Sequence, residues 1–72
     1  KVNQIKPKKL LNSKWTAVNP LNKEKHFIVT KIEIDEKGTV ISCVIESVMS
    51  NRISSICWKT LKDQHFWVHG WI

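Results

Sequence analysis

The chain has 72 residues, 12 Lys and Arg against 6 Asp and Glu, a formal charge of +6, and a hydrophobic share of 42%. That length holds one small domain, and that hydrophobic share excludes an intrinsically disordered chain. No run approaches the ~18–20 apolar residues of a membrane-spanning helix, and two cysteines, Cys43 and Cys57, make no disulfide-dense secreted framework.

Residues 1–9 (KVNQIKPKK) are polar and broken by Pro7, and read as a basic flexible arm. They carry no apolar leader, so a cytoplasmic protein is expected. The charge is unevenly placed. Lys1, Lys6, Lys8, Lys9, Lys14 and Lys23 fall in residues 1–23 without a single acid, while bases and acids balance over residues 24–72. The basic character therefore belongs to the first third of the chain.

Residues 10–72 read as a single small β-rich domain. The stretch 13–19 (SKWTAVN) is strand-like, with Trp15 and Ala17 on one face and Thr16 and Val18 on the other. Asn19-Pro20 reads as a turn, continued as a loop by Leu21-Asn22. Residues 25–35 and 39–49, rich in β-branched side chains, form a hairpin around Asp35-Glu36-Lys37-Gly38. That loop fits a type I turn with Gly38 in the left-handed bulge position. The implied register sets Ile34 opposite Val40 and Asp35 opposite Thr39. Apolar residues then occur on both faces, which suggests a long bent hairpin with a bulge.

Ser50-Asn51-Arg52 is a further turn. Residues 53–61 (ISSICWKTL) favour a strand over a helix. Asp63 is placed to cap a short helical segment over 63–69 ended by Gly70, which would set Trp67 and Trp71 one turn apart; a fifth strand is the competing reading. The expected fold is mainly β: a small antiparallel meander of four to five strands forming a roll or SH3-like barrel, with a short C-terminal helical segment. The core is expected to include Trp15, Phe27, Ile28, Ile32, Val44, Ile56, Trp58 and Leu61.

Catalytic parts are scarce. Glu33, Asp35 and Glu36 gather at a hairpin tip, Glu46 reads as a gatekeeper charge in an apolar strand, and both cysteines sit in apolar contexts where a thiol acts as a small hydrophobe. No catalytic residue and no enzyme activity is expected. Cys57, His65 and His69, with Cys43 as a fourth donor, have a C-x7-H-x3-H spacing, but the paired short spacings of zinc sites are missing. No metal and no cofactor is expected.

Binding is the better expectation. Small β-barrels bind single strands with basic grooves and aromatic stacking platforms. The candidate nucleic-acid contacts are Lys6, Lys8, Lys9, Lys14, Lys25 and Arg52. Against them stand the lone arginine, Arg52, and the neutral body. Trp67 and Trp71 are the candidates for a protein-partner surface, since tryptophan anchors are enriched at interfaces. No membrane contact is expected, because Pro7 interrupts the basic segment and no amphipathic helix forms there.

The run Lys9-Leu10-Leu11-x-Ser13-Lys14-Trp15-Thr16-Ala17-Val18-x-Pro20 is distinctive. So are Lys23-Glu24-Lys25-His26-Phe27-x-Val29, then Glu46-x-Val48 and Arg52, and the ending Trp58-x-x-Leu61-Lys62-Asp63-x-x-x-Trp67-x-x-Gly70-Trp71. Over about residues 8–71 the chain resembles a family of small, tryptophan-rich conserved hypothetical bacterial proteins of unknown function. That resemblance implies a domain boundary and no catalytic residue, substrate or partner.

Overall fold

The structure is a computed structural model that describes residues 3 and 5–72. Expectations placed on Lys1, Val2 and Gln4 lie outside the described residues. A 3-10 turn (Pro7–Lys9) precedes β1 (Lys14–Leu21), β2 (Glu24–Ile34), β3 (Val40–Ser47) and β4 (Ile53–Ile56). A second 3-10 turn (Trp58–Lys62) leads to β5 (Trp67–His69). The fold is mainly β, and its five antiparallel strands make one sheet in the order β4-β3-β2-β1-β5. Among the described residues, no helix is long and apolar enough to cross a membrane.

The expected roll or barrel does not close. β4 and β5 are the two edges of an open sheet. β4 lasts only four residues before the chain turns at Cys57 into the second 3-10 turn. That turn sends Leu61 into the core rather than extending the sheet. The strand expected over 53–61 therefore ends at Ile56. The helical segment expected over 63–69 is also absent. Asp63 Oδ1 accepts the His65 backbone N–H at 2.9 Å, closing an Asx turn. The chain then pairs with β1 from Trp67 to His69.

The turns follow backbone chemistry. Asn22 and Lys23 both adopt left-handed φ, 54° and 64°, between Leu21 and Glu24, which pair directly. That is the type I′ arrangement of a two-residue hairpin. The turn expected at Asn19-Pro20 is therefore displaced, and Pro20 lies inside β1. It is tolerated because β1 is irregular between Thr16 and Leu21, where a missing N–H breaks no ladder bond. The β2–β3 hairpin agrees with the sequence reading. Ile34 pairs with Val40, the Asp35 N–H donates to the Thr39 carbonyl at 2.9 Å, and Gly38 has φ +82°.

Two bulges in that hairpin set its faces. The register shifts between Val29 and Lys31, and again between Glu33 and Ile34. The first shift leaves Thr30 without a partner and sets Ile32 opposite Cys43. Cross-strand partners share a face, so Ile32 joins Phe27, Val29, Cys43 and Ile45. The core covers that one face: Leu10, Trp15, Val29, Val40, Cys43, Ile45 and Leu61 are buried, with Ile5, Phe27, Ile32, Ile56, Trp58 and Trp67 packed against them. Ile28 and Val44, expected in the core, are only half-buried. Ile28 pairs with Lys14 and Glu46, the neighbours of core residues Trp15 and Ile45, so it points to the opposite face.

Candidate functional site

The N-terminal segment is built against the body at two points. Leu10 is fully buried. The Asn3 side-chain amide donates to the carbonyls of Leu61 and Trp67 at 2.8 and 2.9 Å. Between these anchors, Pro7 at the start of a 3-10 turn presets the backbone φ. The turn places lysines beside β5 and the start of β1. A cavity of about 250 Å³ results, lined by Ile5, Lys6, Lys9, Ser13, Trp15 and His69. Among the described residues, no carboxylate lines it. Its aromatic wall is a stack: the Trp15 and His69 rings lie 4.5 Å apart between centroids at an interplanar angle of 20°. Trp15 is fully buried and His69 is exposed. The Trp15 indole N–H donates to Ser13 Oγ at 2.8 Å, and the Ser13 hydroxyl donates to the Leu10 carbonyl. Both groups are held in place.

The opposite face carries an aromatic–cation contact. The Lys14 ammonium stands 4.8 Å from the centroid of the Trp71 ring, and His26 lies beside that ring. The Trp71 indole N–H donates to the Phe27 carbonyl at 2.9 Å. Thr16 Oγ1 donates to the Gly70 carbonyl at 2.6 Å and receives the Ile72 N–H. Gly70, at φ +90°, turns the chain from β5 onto this face. Trp67 faces the other way, edge-on to Phe27 with centroids 5.3 Å apart. The two tryptophans expected to make one surface are thus split across the sheet: Trp67 is half-buried, and Trp71 is 41% exposed.

The remaining candidates separate. Lys8 and Lys25 are exposed and do not line the lysine cavity. Arg52 is ion-paired with Glu24, whose side chain is only 5% exposed. Ser50 also donates to the Glu24 carboxylate. The Ser50 hydroxyl first, then the Arg52 guanidinium, hold the Glu24 carboxyl below its ordinary pKa, against the burial that pushes it up. Glu24 and Arg52 line a groove of about 390 Å³ together with Phe27, Ile45, Ile56, Trp67 and the exposed Phe66. Glu24 and the groove were not legible in the sequence; a lone acid after a hairpin turn signals nothing by itself.

The chemistry of the other groups is plain. Burial pushes the Cys43 thiol up from its ordinary pKa, and nearby Cys57 adds to this. A thiol kept protonated is a poor nucleophile. Among the described residues, no three His, Cys, Asp or Glu side chains stand close enough to hold a metal ion. His65 instead lies 3.0 Å from Asp63, and His69 is taken up by the Trp15 stack.

A family model described as Tryptophan-rich protein (DUF2389) matches residues 13–72. The chain belongs to this family of unknown function. No curated protein and no solved structure matches the chain.

Proposed function

Taking that membership as the premise, we propose that this tryptophan-rich family member is a non-catalytic binding module for single-stranded nucleic acid. One observation carries the reading: the cavity that brings Lys6 and Lys9 beside the Trp15–His69 stack. Single strands are held where cations track the phosphates and rings offer π-faces to the bases. His69 is exposed while one face of its ring rests on Trp15. The Lys14–Trp71 contact repeats the pairing of cation and ring on the other face. Because the net charge resides in residues 1–23, the electrostatic part of binding belongs to the lysines of that segment. Arg52 drops out of the contact set, since it is committed to Glu24.

The test is a fluorescence titration with single-stranded oligonucleotides at two salt concentrations. Binding weakens with salt by roughly 0.7 log unit per log unit of salt for each phosphate neutralised. Absence of a salt-dependent change in tryptophan emission rejects the reading. A second reading, a protein-docking module, is favoured by the apolar groove over Phe27 and Trp67. It replaces the first if no oligonucleotide binds and Trp67→Ala abolishes capture of a partner whose apolar side chain fills that groove.

A further inference from the structure

We infer that the cavity between the Pro7–Lys9 turn and β5 is a pocket for a terminal phosphate monoester, so that the module holds the phosphorylated end of a strand. The inference rests on the nucleic-acid reading above and specifies which part of the strand is held. Three features point to it.

The first is charge. Two lysines reach the cavity rim and, among the described residues, no carboxylate lines it. A monoester carries about −1.5 to −2 charges at pH 7 and three acceptor oxygens. An internal phosphodiester carries a single charge and two such oxygens. Lysine ammoniums act on phosphate as point charges, so the extra charge of a chain end is what this pair discriminates.

The second is shape. The cavity, about 250 Å³, is backed by Trp15, which is fully buried. Trp15 thus forms a fixed wall of it. The volume exceeds that of a single phosphate group, so a terminal phosphate fits within it.

The third is the wall. The Ser13 hydroxyl hydrogen is spent on the Leu10 carbonyl, and the Trp15 indole N–H is spent on Ser13. Among the side chains lining the cavity, the donors left for an anion are Lys6, Lys9 and a ring nitrogen of His69. His69 also offers its ring to the terminal base.

The experiment uses the full chain and three oligonucleotides of one sequence, carrying a 5′-phosphate, a 3′-phosphate or no terminal phosphate, compared by fluorescence anisotropy at low salt. At least one phosphorylated form is expected to bind fivefold or more tightly than the unphosphorylated strand. The preference is expected to vanish in the Lys6→Gln/Lys9→Gln variant and to persist in Lys8→Gln, whose lysine lies outside the cavity. Unchanged thermal melting of these surface variants controls for folding. A shift of the His69 ring resonances on adding the phosphorylated strand, without a matching shift for the unphosphorylated one, supports the pocket independently. Equal affinity for all three strands overturns the pocket and leaves the nucleic-acid reading in place. Binding of none overturns both.

Discussion

Trp15 and His69 lie face to face, 4.5 Å between ring centroids with planes 20° apart, and this contact joins β1 to the β5 edge of the sheet. The two residues are also directly paired across β1 and β5. One of the three cross-strand pairs that hold this three-residue edge strand thus also forms one wall of the lysine cavity. Aromatic pairs contribute about 0.5–1.5 kcal/mol beyond the area they bury. His69→Ala is expected to lower the unfolding free energy by about 1 kcal/mol in urea. A loss below about 0.3 kcal/mol would show that the stack holds nothing.

Leu10 tests how firmly the residues just before β1 are anchored in the core. A surface arm tolerates substitution within about 0.5 kcal/mol, whereas burying a leucine and then truncating it costs about 2–5 kcal/mol. Leu10 is fully buried, so Leu10→Ala is expected to fall in the second range in denaturant unfolding. Leu11, next to it and 50% exposed, is the control and should fall in the first.

Lys23 occupies a left-handed position at φ 64° in the two-residue β1–β2 turn. A non-glycine residue in that region carries roughly 1–2 kcal/mol of steric cost. Glycine there loses more backbone entropy on folding, which offsets part of the gain. Lys23→Gly, which makes the turn Asn-Gly, is expected to stabilise the domain by about 0.5–1 kcal/mol, read as a rise in the thermal midpoint. A fall in the midpoint would reject the type I′ assignment.

Glu24 sets an acid limit on stability. Its carboxyl is held below the ordinary value by Ser50 and Arg52. A group whose pKa is lower in the folded state stabilises that state above its unfolded value, about 4.3 for glutamate. The stabilisation is lost as pH falls from there through the lowered folded value. Asp63, lowered first by the His65 backbone N–H, acts in the same direction below the ordinary aspartate value of about 3.9. Unfolding midpoints measured from pH 6 down to pH 3 should therefore decline, and decline less in Glu24→Gln. An unchanged slope in that variant would show that the Glu24–Arg52 pair is not linked to folding.

Local patterns were the legible part of this molecule. The Asp35–Gly38 loop and its register could be read because turn chemistry acts over four residues. The Trp15 face of β1 could be read because strand alternation acts over neighbours. Pro20 misled, since a proline marks a turn unless an irregular pairing spares its missing N–H, and pairing is a relation to another strand. Ile28 misled in the same way: it was expected in the core together with Ile32, but the bulge at Thr30, which depends on the match between β2 and β3, puts the two on opposite faces. The lysines of the cavity were singled out by charge alone, but Trp15, Ser13 and His69 were not seen as their neighbours.

The amino-acid sequence by itself determined the β-rich class, the confinement of net charge to residues 1–23 and the family, because composition and short-range spacing carry them. Only the tertiary structure decided which groups meet. It pairs Arg52 with Glu24. It sends Trp67 and Trp71 to opposite faces through the left-handed backbone of Gly70. It closes a basic cavity between Lys9 and His69, which lie far apart in the chain. Such contacts follow from strand order and register, and these are set by burying one face of an open sheet rather than by any local run of residues.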